Sequence, residues 1–120
     1  MEIPKIFESE FRFMLIVWDH APVSGAELVR LAGEQLEWKK STTYTVIRRL
    51  CDRGIIENLG GTITPLYTRD EVQRQESREF IGRTFGGSLS GLVAAFASNK
   101  SLTREEAEEI RRIIDSYKED

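Results

Sequence analysis

Helix-breaking residues cut this chain into short pieces in a set order, and that order limits the fold more than any other feature. Pro22 closes the first piece, because the residue before a proline is disfavoured in the α region. Gly54, Gly60-Gly61 and Gly86-Gly87 close later ones. Between the stops, apolar residues recur at helical or alternating spacing. The first predicted helix covers about Glu8–Asp19, with Phe11, Met14, Leu15 and Trp18 as its apolar stripe. Asp19-His20-Ala21-Pro22 reads as the turn after it. Ser24-Gly25-Ala26-Glu27 reads as a capping box, in which the serine caps and the glutamate reaches back. The helix it opens runs to near Leu36 and carries Leu28, Leu31 and Ala32. A third helix is predicted from Lys40–Ser41 to Gly54. Its inner face is Thr43, Val46, Ile47 and Leu50. At about 100° per residue, Ser41, Thr45, Arg48 and Asp52 fall opposite, flanked by Thr42, Tyr44 and Arg49.

Ile55–Asn58 and Thr62–Thr64 read as two short strands around the Gly60-Gly61 turn. A polar helix follows from Asp70 or Thr68 to about Phe85, with Val72, Phe80 and Ile81 as sparse apolar positions. Ser88–Ala97 carries Leu89, Leu92, Val93 and Phe96 on one stripe. Thr103 to Glu106 is a second capping box, before a helix with Ile110, Ile113, Ile114 and Tyr117 at i, i+3, i+4, i+7. The expected class is mainly α with a small β-hairpin. It divides into a winged helix-turn-helix over residues 1–69 and a helical dimerisation region over 70–120. In such a layout the third helix enters the major groove of DNA. The later stripes need a further surface to bury them, and a second copy of the chain is the simplest one. The expected dimer interface is Phe85, Leu89, Leu92, Val93, Phe96, Ile110, Ile113, Ile114 and Tyr117.

The formal net charge of −3 looks wrong for a DNA binder until it is resolved along the chain. Trp38–Arg53 holds Lys39, Lys40, Arg48, Arg49 and Arg53 against Asp52 alone. Phosphate recognition needs such a local field rather than a global one. The expected DNA-contact residues are Lys39, Lys40, Ser41, Thr42, Tyr44, Thr45, Arg48 and Arg49. Trp38 is expected to pack behind this helix, Cys51 to be a small buried or half-buried apolar residue, and Arg53 to meet a phosphate or the helix dipole. Cys51 and His20 are each the only residue of their type. That is too few for a Cys/His metal site and supports no nucleophile–histidine arrangement. No enzyme activity, metal or cofactor is expected. No apolar run approaches the roughly 18–20 residues needed to span a bilayer, and the first residues lack a signal-peptide pattern. The chain is therefore expected in the cytoplasm, without membrane insertion.

The residues in their order resemble the penicillinase/methicillin-resistance repressor family (BlaI/MecI/CopY-like). The matching stretches are Glu10-Phe11, Met14 and Val17-Trp18, then Trp38, Thr42-Thr43-Tyr44-Thr45 and Arg49-Leu50. Gly54-Ile55-Ile56 and Pro65-Leu66 follow, then the run from Phe85 through Gly86-Gly87-Ser88-Leu89-Ser90-Gly91-Leu92 to Val93. Leu102-Thr103 and Glu108-Glu109-Ile110 end the match. The resemblance implies a repressor that binds dyad-symmetric operator DNA as a homodimer through intertwined C-terminal helices. In antibiotic-responsive members it also implies release by cleavage at an Asn-Phe pair, with a membrane sensor protease as a further partner. The matching position here is Ala95-Phe96, with the phenylalanine but not the asparagine. The C-terminal cysteine cluster of the metal-responsive branch has no counterpart. The wing, Leu59-Gly60-Gly61-Thr62, is short and uncharged, where the family commonly has Arg or Lys. A winged-helix protein-interaction adaptor without DNA contact is the alternative reading, and a pocket for a small ligand in the helical region stays open.

Overall fold

The computed structural model describes residues 2–117. The elements in chain order are α1 (Glu8–His20), β1 (Val23–Ser24), α2 (Gly25–Leu36), α3 (Lys40–Asp52), β2 (Ile56–Leu59), β3 (Thr62–Pro65), α4 (Arg69–Phe85), α5 (Leu89–Ser98) and α6 (Arg104–Ser116). They divide into two compact units, Met1–Glu76 and Ser77–Asp120. No single helix among the described residues is long and apolar enough to cross a membrane.

The hydrophobic core lies in the first unit. Phe13, Met14 and Val17 meet Leu28, Leu31 and Ala32 of α2, Val46, Ile47 and Leu50 of α3, and Ile55, Ile56 and Ile63 of the sheet. Truncating a residue such as Phe13 in a core like this costs about 3–5 kcal/mol. The buried arc of α1 differs from the predicted stripe. Phe13, Ile16 and Val17 are inside, whereas Phe11, Leu15 and Trp18 are half-buried. The reason is that α1 is packed both by α2 and by β3, so its contact arc is wider and turned from a one-sided stripe. Phe11 and Trp18 meet edge to face at 5.7 Å on its flank. The Trp18 indole N–H donates to the Tyr67 carbonyl at 2.9 Å. His20 is the last residue of α1 rather than part of a turn, its Nδ1 3.0 Å from the Ile16 carbonyl oxygen.

The predicted hairpin is part of a three-stranded antiparallel sheet ordered β1-β3-β2. Val23 pairs with Ile63 and Ser24 with Thr62. Two residues are too few to show strand periodicity, so β1 exists through tertiary pairing alone. Gly60 and Gly61 both have positive φ, 61° and 90°, as a two-residue turn matching the strand twist requires. The Gly61 N–H donates to Asn58 Oδ1 at 2.9 Å.

Ser24 caps α2 by accepting the Glu27 N–H at 3.1 Å. The other half of the expected box is missing. Both Glu27 oxygens are instead taken by Arg30, each at 2.7 Å, a bidentate pair between two charged groups in place of a single bond to a backbone N–H. Thr68 and Glu71 cap each other's backbone N–H at the start of α4. The first unit runs past residue 69 because Val72 is buried in its core and Gln75 clasps the backbone of Ile3.

The second unit holds α5 and α6. Ser88 caps the first through the Gly91 N–H, and Thr103 with Glu106 forms the expected box on the other. Among its described residues none is fully buried.

Candidate nucleic-acid interface

Helix α3 is held from behind and at both ends. Thr43, Val46, Ile47 and Leu50 are buried, and the Thr43 hydroxyl donates to the Lys39 carbonyl at 3.2 Å. Trp38, in the turn between α2 and α3, stacks on Phe13 at 5.5 Å and 16°, so its ring is occupied by core packing. At the far end Gly54 adopts φ 73°. Its N–H donates to the Cys51 carbonyl and the Ile55 N–H to the Leu50 carbonyl. This is a Schellman stop, with buried Ile55 turned back toward the helix.

The outer face carries the residues picked from sequence. Lys39, Lys40, Ser41, Thr42, Tyr44, Arg48 and Arg49 are exposed, and Thr45 is half-buried. The Thr45 hydroxyl donates to the Ser41 carbonyl at 2.9 Å, which leaves its oxygen as an acceptor. Among the described residues the ion pairs are Arg30 with Glu27 and Glu34, and Arg53 with Glu10. Lys39, Lys40, Arg48 and Arg49 join none of them. No side chain caps the start of α3, where the helix dipole itself favours an anion.

Arg53 does not extend this basic face. It turns inward, pairs with Glu10 of α1 and lies over the Phe7 ring at 5.6 Å. This pair was missed in the sequence. Its signal is Glu10 at i before Phe13, Met14 and Val17 at i+3, i+4 and i+7, a charge on an otherwise apolar arc. Cys51 is half-buried, and burial followed by the Asp52 charge pushes its thiol pKa up. The wing tip, Asn58 to Thr62, is exposed and uncharged.

In the second unit Leu89, Val93, Phe96, Ile113, Ile114 and Tyr117 are exposed, whereas Phe85, Leu92 and Ile110 are half-buried. Ala95 is exposed beside Phe96 on α5.

The three helices, the sheet and the outward face of α3 together define a winged helix-turn-helix. Within that class the chain belongs to the penicillinase repressor family, whose profile matches residues 6–116. It is 26% identical over 121 residues to the penicillinase repressor of Bacillus licheniformis, covering 98% of this chain and 94% of that one. It is 27% identical over 114 residues to the methicillin resistance regulatory protein MecI of Staphylococcus aureus, covering 92% and 93%. The penicillinase repressor of Staphylococcus aureus is 29% identical over 114 residues, covering 92% and 90%.

Proposed function

We propose that the protein is a transcriptional repressor that binds dyad-symmetric operator DNA as a homodimer. The observation that carries this reading is the outer face of α3. Four cations outside any described ion pair stand among hydroxyl side chains on a helix locked from behind. Lysine and arginine meet phosphates, serine and threonine hydroxyls meet phosphates or base edges, and a threonine methyl meets a thymine methyl. Membership of a family whose relatives are named repressors supports the same reading.

The exposed apolar residues of α5 and α6 support self-association. Burying such a side chain is worth on the order of 1.5–3 kcal/mol before ordering costs. Two linked reading heads gain further by effective concentration. A dimer places its recognition helices in successive major grooves, roughly 34–36 Å apart, and blocks the promoter beneath it. If a membrane sensor protease releases the dimer, the candidate cut is Ala95-Phe96, both exposed on α5, with alanine where antibiotic-responsive relatives carry asparagine.

The test is fluorescence anisotropy with random and dyad-symmetric duplexes at rising salt, alongside sedimentation. The expected result is a dimer whose affinity falls steeply with salt. Ile113→Glu should give a monomer with weakened operator binding. A chain that binds no duplex at low salt is not a DNA-binding repressor. That outcome selects the adaptor reading, which the uncharged wing favours.

A further inference from the structure

Gly25 opens α2, and the space its missing side chain leaves is filled by a residue of the recognition helix. A Cβ at this position would lie 3.3 Å from Tyr44 Cε1 and 3.8 Å from the Tyr44 hydroxyl, with Ile63 Cδ1 at 3.9 Å. The backbone of Gly25 is outside the positive-φ group, so alanine, the better helix former, fits the chain conformation. Packing against Tyr44 is what asks for glycine here.

The shelf under the ring is itself fixed. The Gly25 N–H donates to the Gly61 carbonyl in the wing turn at 3.3 Å. Ser24 beside it caps α2 and pairs with Thr62. The start of α2, Tyr44 and the wing turn line one open cleft of about 400 Å³. Tyr44 is still 42% exposed, so its outer edge faces whatever lies against α3.

We infer that Gly25 is a positioning residue for Tyr44, and through it a determinant of the base sequence that α3 prefers. The inference rests on the DNA-binding reading above. An alanine at 25 makes the ring give by a few tenths of an ångström, and the open side is outward. Contacts with base edges are short-ranged and directional, whereas attraction between phosphates and Lys39, Lys40, Arg48 or Arg49 is not. Gly25→Ala should therefore change sequence preference while leaving general DNA affinity in place.

The experiment uses the full chain and its Gly25→Ala, Tyr44→Ala and double variants. Each enriches sequences from one randomised duplex pool. Anisotropy with a random duplex and thermal unfolding are measured beside it. The expected result is that both single variants relax the same position of the enriched sequence, by roughly fivefold or more. For Gly25→Ala, random-duplex affinity and Tm should change little, and Gly25→Ala should add nothing in the Tyr44→Ala background. If Gly25→Ala keeps the wild-type preference while Tyr44→Ala loses it, Gly25 does not position the ring. A silent Tyr44→Ala also overturns the inference. So does a Gly25→Ala variant whose Tm or random-duplex affinity falls along with its preference, because that effect is merely structural. If the unaltered chain neither enriches a sequence nor binds random duplex, the DNA reading has failed and takes this inference with it.

Discussion

Replacing Arg53 by methionine keeps most of its packing over Phe7 but removes the charge that makes a buried carboxylate tolerable. Glu10 projects from the first turn of α1 with only 7% of its side chain exposed, and Arg53 ends α3 with 30% exposed. Glu10 Oε1 accepts the Phe7 N–H at 2.9 Å as well as the Arg53 guanidinium. Removing one member of a fully buried pair costs about 3–5 kcal/mol. Here Arg53 is nearly one-third exposed and the Phe7 N–H stays in place, so water and backbone recover part of the loss. A cost of about 2 kcal/mol is expected for Arg53→Met. At about 4–8 °C per kcal/mol for a unit of this size, Tm should fall by roughly 8–16 °C. Glu10→Gln, which leaves a neutral amide and a partly solvated arginine, should cost about 1 kcal/mol. The double variant should cost less than the two together, because the stranded partner is gone. The assay is urea unfolding followed by far-UV circular dichroism at one protein concentration, since self-association shifts apparent stability. A loss below about 0.5 kcal/mol for Arg53→Met, or strict additivity in the cycle, refutes the claim that this pair holds α3 to α1.

Arg49→Ala should weaken binding to every duplex and lower the slope of log affinity against log salt by about one; an unchanged slope removes Arg49 from the phosphate contacts. Cys51 should be alkylated more slowly in the folded chain than in urea, because burial and then the Asp52 charge hold its thiol pKa up, and equal rates would contradict that. Glu71 is held below the ordinary carboxylate range by hydrogen bonds from Thr68, first from its backbone and then from its hydroxyl. Its depressed folded pKa means a contribution present above the unfolded value and lost as pH falls through the folded one. Glu71→Gln should therefore flatten the acid side of the stability curve, and acid sensitivity identical to that of the unaltered chain counts against it.

Local signals carried most of the fold. Pro22 and Gly54 act where they stand in the chain, through φ restriction and the left-handed stop, so helix ends were legible. The outer face of α3 was legible because helical geometry alone separates Thr43, Val46, Ile47 and Leu50 from the residues opposite. What escaped depends on distant partners. β1 exists because β3 passes beside it, and the burial of α1 turns because two elements press on it. Glu27 left its box for Arg30, a competition between two good partners that spacing does not rank. Arg53 read as one more cation of the basic segment, since nothing local reveals that Glu10 awaits it. The contact of Gly25 with Tyr44 spans two helices and leaves no trace in either periodicity.

The clasp between Ile3 and Gln75 also bears on how this unit comes into being. Ile3 donates its N–H to the Gln75 side chain at 2.8 Å and receives the amide's own N–H at 2.7 Å, across 72 residues. Ile3 and Ile6 share the core with Val72. A ribosome makes the chain in order, so Ile3 has no partner for this clasp until Gln75 of α4 has been made. Closing that long a loop is the costlier contact in chain entropy. The clasp therefore closes late in synthesis, and a substitution at Gln75 acts on the step that seals the unit.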